Sequence, residues 1–88
     1  MTNALEVFDD GTTEKVDVTK ASLDSTKVFC IVDSTNKSIY IWQGRNADVR
    51  RRFVGAQVAT NLRSEHGLHY RVRAEIEGEE TSGFLNSL

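Results

Sequence analysis

The sequence contains no proline, a single cysteine and no apolar run close to the roughly 20 residues that a membrane-spanning helix needs. A single cysteine excludes a disulfide framework within the chain and a cysteine-rich metal cluster. That residue, Cys30, lies in the apolar run 28–32, which indicates a buried strand in a protein kept in a reducing compartment. The chain also begins without a basic and then apolar signal segment, so we expect a cytoplasmic location.

Charge of one sign is not in large excess. Lys and Arg together number 11, Asp and Glu number 13, and the net charge is −2. Because no broad basic field is present, we do not expect nucleic acid as the main partner, and a charged partner must meet a local patch. The length of 88 residues, with 39% hydrophobic residues and no internal repeat or linker, predicts a single domain over residues 1–88.

Residues arranged for catalysis are scarce. His66 and His69 flank Gly67 without a serine or cysteine nucleophile beside them, and we interpret them as turn and strand residues. The glutamates of 77–80 surround a glycine and indicate a solvated turn. Since no phosphate-binding loop, nucleophile motif or metal-ligand spacing occurs, we predict that the protein is not an enzyme.

The apolar pattern predicts a series of strands interrupted by one long helix. Period-two alternation around a turn at 9–11 indicates an initial hairpin, and a nearly continuous apolar run indicates a central strand covered on both faces. The predicted strands are 5–8, 15–19, 28–32, 38–42 and 69–76, and the predicted helices are a long one at 46–64 and a short one at 82–88. We expect Gly67 to end the long helix and Thr81 with Ser82 to cap the short one.

The long helix carries two groups of apolar residues when its positions are placed at about 100° intervals. The first group consists of Ala47, Val54, Val58 and Leu62, with Gly55 and Ala59 beside them. The second group lies on the opposite side and consists of Val49, Phe53 and Ala56, with Gln57 and Thr60 adjacent. A helix packed on one sheet needs one apolar face. The second face is therefore either covered by loops of the same domain or a surface for a partner.

Three separated motifs span nearly the whole chain. They are Leu23-Asp24-Ser25 with Val28-Phe29 and Ile31-Val32-Asp33, then Ile39-Tyr40-Ile41-Trp42-Gln43-Gly44, and finally Glu77-Gly78-Glu79-Glu80-Thr81 followed by Phe84 and Leu88. In this order they resemble the gelsolin/villin repeat. The combination is far more specific than any one of the motifs alone.

The resemblance implies an α+β, gelsolin-like fold, with a central mixed sheet of about five strands between the long and the short helix. It also implies an actin-binding module of the cytoskeleton, which sequesters actin monomers or caps filament ends and has actin or an actin homologue as partner. In the family's actin-binding repeats the long helix lies in an apolar cleft of actin. By position, the residues implied at this interface are Val49, Arg50, Phe53, Gln57, Thr60 and Asn61.

Lys27 and Arg51 depart from the family pattern. The family's calcium-binding repeats carry an aspartate and a glutamate at these two positions. Cations there remove oxygen ligands and add repulsion, so we predict no cofactor and none of the usual calcium regulation. Calcium remains an alternative if one extra residue in the strand after Lys27 forms a bulge that brings Asp24 or Asp33 in as a ligand.

A basic run, Arg50-Arg51-Arg52, lies near the start of the long helix, with Arg45 close to it. Four guanidinium groups there could meet a phosphoinositide headgroup or an acidic partner. The competing interpretation is a solvated helix face, because consecutive helical residues point in different directions.

Two other functions remain open. One is a structural or scaffold repeat without affinity for actin, since the same motifs form the core of binding and non-binding repeats. The other is a cofilin-like actin regulator, whose fold has a similar sheet and long helix. The Trp42-Gln43-Gly44 segment and the C-terminal motif favour the gelsolin side.

Overall fold

A five-stranded mixed sheet runs between a long and a short helix in the computed structural model, which describes the backbone of residues 3–88 and the side chains of residues 4–88. Its elements in chain order are β1 (Asn3–Val7), β2 (Thr13–Val16), a single 3-10 turn (Lys20–Ser22), β3 (Val28–Asp33), β4 (Ser38–Gln43), α1 (Val49–His66), β5 (Arg71–Ile76) and α2 (Ser82–Ser87). The strand order is β2-β1-β3-β4-β5. All neighbours are antiparallel except β4 and β5, which are parallel and connected through α1. The predicted fold class is confirmed.

Both faces of the two central strands, β3 and β4, are buried, as the nearly continuous apolar run at 28–32 predicted for β3. Side chains alternate between the faces of a strand, and one set of alternate residues packs under α1. That set is Val7, Val28, Cys30, Val32, Ile39 and Ile41, joined by Val54, Val58, Ala59 and Leu62 of the helix. The other face carries Ala4, Phe29, Ile31, Tyr40 and Trp42, which pack with Val18 and with Phe84, Leu85 and Leu88 around α2. The chain thus has three layers: α1, the sheet and α2.

The sheet register is continuous through the segment where a bulge was considered. Every residue of β3 from Val28 to Asp33 has a partner in β4, and the pairs with β1 follow the same regular spacing. The bulge interpretation was therefore wrong. The side chain of Asp33 instead binds the turn after β3, where its Oδ1 accepts from the N–H groups of Thr35 and Asn36.

The long helix begins later than predicted. Asp48 is its N-cap, and the carboxylate accepts a 2.7 Å hydrogen bond from the Arg51 N–H. The preceding N–H groups of Asn46 and Ala47 bind the carbonyls of Ser25 and Gly44, which holds both residues in a turn. The helix continues to His66, and its cap at Gly67 was predicted correctly.

Two strands have other bounds than predicted: β2 runs over Thr13–Val16 in place of 15–19, and β5 begins at Arg71 in place of 69. Residues 17–19 leave β2, and the N–H of Thr19 binds the Ser22 hydroxyl at 3.2 Å. Residues 69 and 70 precede β5, since the Tyr70 N–H binds the Gly67 carbonyl at 3.1 Å. At the C-terminus, Thr81 caps α2 as expected and its hydroxyl accepts from the Phe84 N–H.

Candidate functional site

The outer face of α1 presents two large apolar side chains to solvent. Val49 is 80% exposed and Phe53 is 74% exposed. They are four residues apart, which places them together on one side of the helix. Val54 and Val58, on the opposite side, pack against the sheet. The interpretation that loops of the same domain cover the second apolar face was wrong.

The polar residues expected at the interface continue this outer face toward the C-terminus of α1. Gln57, Thr60 and Asn61 are all exposed, as is Ala56 just before them. The Thr60 hydroxyl donates to the Ala56 carbonyl at 3.0 Å, so this hydroxyl is already used within the helix. The amides of Gln57 and Asn61 can each donate and accept. We call the six residues Val49, Arg50, Phe53, Gln57, Thr60 and Asn61 the outer helix face.

A shallow apolar depression lies between the N-terminal half of α1 and the turn that connects β1 to β2. Its lining consists of Asp9, Asp10, Gly11, Val49, Arg50, Phe53 and Val54. Sequence reasoning identified 9–11 as a turn but did not place it beside the helix. Only the sheet order shows this, because α1 packs across the sheet and reaches β1.

Arg50 fixes this turn against the helix. Its guanidinium Nε donates a 3.1 Å hydrogen bond to the Asp9 carbonyl. The turn is also closed internally, since the Asp10 carboxylate accepts from both the N–H and the hydroxyl of Thr12. The hydrogen bond from the Thr12 side chain lowers the pKa of Asp10. Arg50 therefore shapes one wall of the depression as well as being exposed on the outer helix face.

The other arginines near the start of α1 are bound to different parts of the chain. Arg45 Nε donates to the Glu77 carbonyl at 2.9 Å, and Arg52 donates to the Arg45 carbonyl at 3.2 Å. Arg51 pairs with Asp48 at 2.6 Å. These separate partners do not favour one concentrated anion site. Phosphoinositide binding stays an untested alternative.

At the two family calcium positions, each cation is paired with a carboxylate of its own chain. Lys27 Nζ lies 3.5 Å from Glu6 Oε1, and Arg51 is bound to the N-cap residue of α1, Asp48. The hydrogen bond from the Arg51 N–H lowers the pKa of Asp48. Asp24, the alternative ligand, accepts from the N–H and the hydroxyl of Thr26. Within residues 3–88, no three His, Cys, Asp or Glu side chains are grouped so that they could hold a metal ion.

None of the helices in the described part of the chain combines the length and the apolar character that crossing a membrane requires.

The three-layer arrangement, with one long helix on a mixed five-stranded sheet, is that of a gelsolin-like domain. Thorarchaeota ProGel, in a crystal structure of its complex with rabbit actin, aligns with a TM-score of 0.91 and 30% sequence identity, over 98% of this chain and 97% of that one. Thorarchaeota 2DGel3, also in a crystal structure with rabbit actin, aligns with a TM-score of 0.86 and 26% identity, over 99% of this chain and 45% of that one. No protein-family model and no curated protein matches the sequence significantly. The chain belongs to the gelsolin-like domain family, as the three motifs predicted.

Proposed function

We propose that this chain is an actin-binding module that meets actin, or a close homologue of actin, with the outer helix face. The observation that carries the proposal is the exposure of Phe53 and Val49 on a helix whose other side is packed against the sheet. Two similar gelsolin-domain proteins crystallised in complex with actin support the choice of partner. The cofilin-like alternative loses its support, because the alignment with a gelsolin-domain protein extends over nearly the whole chain.

The chemistry of the outer helix face suits a helix that docks in an apolar groove. Phe53 is the anchor, since burying a Phe side chain contributes about 1.5–3 kcal/mol and large aromatic residues dominate many interfaces. Gln57 and Asn61 then pair with polar groups at the groove rim. The depression beside Phe53 receives a protruding apolar side chain of the partner, with the turn at 9–11 as its outer wall.

A module with one such face holds one actin subunit. It lowers polymerisation by sequestering monomers or by occupying the exposed end of a filament. Severing in the family generally uses linked domains that hold two positions on a filament, because linkage multiplies affinity. The proposed activity is independent of calcium at the family site, where Lys27 and Arg51 stand. It is also a binding activity, without a catalytic step.

Pyrene-actin polymerisation tests the proposal when the protein is titrated in, once with calcium and once with a chelator. We expect equal inhibition in both buffers. Phe53→Asp should weaken inhibition at least about tenfold, because it places a charge at the centre of the buried contact. Leu68→Asp is the matched control, since Leu68 is 73% exposed and lies beyond the opposite end of the helix.

The thermal midpoint of each variant separates binding from folding. Both substitutions lie at exposed positions, so neither should change the melting temperature appreciably. No inhibition by the unmodified protein would favour the scaffold function. Inhibition that survives Phe53→Asp but is lost with Leu68→Asp would show that the partner binds elsewhere on the domain.

A further inference from the structure

The edge strand β5 has an apolar side that α1 leaves partly exposed. β5 is the last strand of the sheet, next to β4. Val72 and Ala74 pair in register with Ile39 and Ile41, so they lie on the α1 side of the sheet. Yet Val72 is 41% exposed, Ile76 is 45% exposed and Ala74 is also exposed. The helix reaches this strand but covers its apolar side only in part.

The same residues direct their backbone groups away from the sheet. The N–H of Arg71 binds the Lys37 carbonyl at 2.9 Å, and the N–H of Glu77 binds the Gln43 carbonyl at 3.0 Å. Odd-numbered residues of this strand therefore face β4, and by alternation Val72, Ala74 and Ile76 point their N–H and C=O groups outward. In the described part of the chain no strand pairs with this outer edge. An exposed edge of this kind is a template for another strand.

The strand is complementary to itself when it is turned antiparallel. Its sequence with the next residue is Arg-Val-Arg-Ala-Glu-Ile-Glu over 71–77. With Ala74 opposite Ala74 of a second copy, Val72 lies opposite Ile76 on the apolar side. On the other side, Arg73 lies opposite Glu75 and Arg71 lies opposite Glu77. Opposite charges in such cross-strand pairs stabilise a sheet.

This register also matches the backbone. The outward-facing residues Val72, Ala74 and Ile76 become the hydrogen-bonded pairs of the new ladder. A shift of the pairing by two residues places Arg73 opposite Arg73 or Glu75 opposite Glu75, which is repulsive. A shift by one residue places apolar side chains opposite charged ones. One register is thus favoured by both charge and burial.

Glu75 adds a second observation. It is only 3% exposed, and its carboxylate accepts from the N–H of Thr81 at 2.7 Å and from the Thr81 hydroxyl. Among residues 4–88 no cation forms a salt bridge with it. Buried carboxylates are usually paired with a cation. Arg73 of a second copy would approach Glu75 from the strand edge. Within the chain, Arg73 Nε donates to the Ser38 hydroxyl at 3.2 Å.

We propose that the chain forms a homodimer in which β5 pairs antiparallel with β5 of a second copy around Ala74. The two five-stranded sheets then become one continuous sheet. The contact is a single strand pair of 6 residues per chain, roughly 20 Å long. We therefore expect a weak dimer that depends on concentration and salt. The outer helix face takes no part in this contact, so the proposal does not depend on actin binding.

Cysteine cross-linking tests the register. Residues that form a hydrogen-bonded antiparallel pair have Cα atoms about 5.5 Å apart, which fits a disulfide. Ala74→Cys should therefore give a disulfide-linked dimer on mild oxidation. The native Cys30 is fully buried and does not compete. The matched control is Lys15→Cys, an exposed position on β2 at the opposite edge of the sheet.

We expect Ala74→Cys to cross-link at least about tenfold faster than Lys15→Cys at equal protein concentration, because only the former is held beside its own copy. Adding Arg73→Glu to Ala74→Cys should slow cross-linking about tenfold, since two like charges then face each other in each pair. Adding Lys15→Glu, with the same change of net charge, should leave the rate unchanged.

Equal rates for the two cysteine variants would overturn the proposal. A rate for Ala74→Cys that Arg73→Glu does not slow would overturn it as well. Disulfides between Ala74→Cys and Lys15→Cys in a mixture of the two variants, in place of Ala74→Cys dimers, would show that the two different sheet edges pair with each other, and this result also excludes the proposed dimer.

Discussion

The indole Nε1 of Trp42 donates a 2.9 Å hydrogen bond to the Glu80 carboxylate. This bond connects the end of β4 to the loop before α2, across 38 residues of sequence. Trp42 is fully buried, so its N–H group would otherwise lack a partner. Glu80 also accepts from the N–H of Gly78 at 2.9 Å, which closes the turn after β5. Two of the three sequence motifs thus meet in one polar contact.

We expect the protein to lose stability in acid as the Glu80 carboxylate becomes protonated. The hydrogen bond from Trp42 lowers its pKa below the usual value of 4.5 in the folded state. Because the pKa is lower in the folded protein, the stabilisation is complete at a pH above the pKa of the unfolded state. It is lost as the pH falls through the pKa of the folded state. Stability should therefore fall below about pH 4.5, and Glu80→Gln, which keeps an acceptor, should reduce this fall. Urea unfolding at a series of pH values measures it.

Glu79→Gln is the control for this measurement. It removes the same charge from a side chain that is 69% exposed. The one salt bridge of this side chain in the described part of the chain is a long one, 4.0 Å to Arg45. The pH dependence of its unfolding free energy should stay close to that of the unmodified protein. Glu77 adds to the same trend, because the hydrogen bond from the Arg45 N–H lowers its pKa as well. If the unfolding free energy of Glu80→Gln falls in acid as steeply as that of the unmodified protein, the Trp42 contact does not favour the ionised form of Glu80.

Gly44 is the position where a single methyl group should be most damaging. A Cβ atom there would lie 2.1 Å from the Ser25 carbonyl oxygen, which belongs to the backbone and cannot rotate away. We expect Gly44→Ala to lower the free energy of unfolding by about 3 kcal/mol. In Gly83→Ala the nearest atom to the new Cβ is the Tyr40 hydroxyl at 3.4 Å, so that variant should be nearly neutral or slightly stabilising. Denaturant midpoints of the two variants decide between these expectations.

Much of the fold follows from local patterns. The nearly continuous apolar run at 28–32 predicted a central strand buried on both faces, because a strand with one side in water would alternate with polar residues. The two faces of α1 could also be distinguished from the sequence. Consecutive helical residues such as Phe53 and Val54 point in different directions, and the first is exposed while the second packs on the sheet. Helix and strand ends were less predictable, because they depend on hydrogen bonds to distant residues, such as that from Asn46 to Ser25.

The exposed side of β5 and the turn beside Phe53 were harder to derive, because both depend on where α1 lies across the sheet. Alternation over 69–76 predicted a strand but could not show that α1 leaves part of its apolar side exposed. The turn at 9–11 was visible as a turn, but its position beside Phe53 requires the strand order and the path of α1 across the sheet. The contact from Arg50 to Asp9 spans 41 residues and has no signature in sequence. The six residues of the outer helix face remain a prediction.

Cys30 should be an unreactive thiol in the folded protein. Burial raises its pKa to about 12, and its Sγ lies 3.4 Å from the Gly55 carbonyl under α1. Since the thiolate is the reactive form, Ellman's reagent should not modify the native protein near about pH 8 and should modify it fully in denaturant. Lys15→Cys should react at once under native conditions. Rapid reaction of Cys30 without denaturant would show that α1 opens readily from the sheet.

Replacing both cations at the family calcium positions should create a calcium site. Gly55 packs on Val28, since a Cβ atom there would lie 2.9 Å from Val28 Cγ1. Arg51 lies one helical turn before Gly55, and Lys27 lies one residue before Val28. Both positions are thus at the same end of the contact between α1 and β3. Lys27→Asp with Arg51→Glu would place carboxylates there beside Glu6 and Asp48, which now bind the two cations.

Without calcium the double variant should be less stable than the unmodified protein, because like charges then face each other. With calcium at about 100 times its dissociation constant, stabilisation should reach about 2.7 kcal/mol, which corresponds to a rise in melting temperature of roughly 10 °C or more for a domain of this size. The unmodified protein should melt at the same temperature with calcium and with chelator. Lys15→Asp with Arg52→Glu, which changes the net charge equally at exposed positions, should show no calcium effect. A calcium-dependent rise in the unmodified protein would mean that oxygen ligands other than the family's two carboxylates bind the ion.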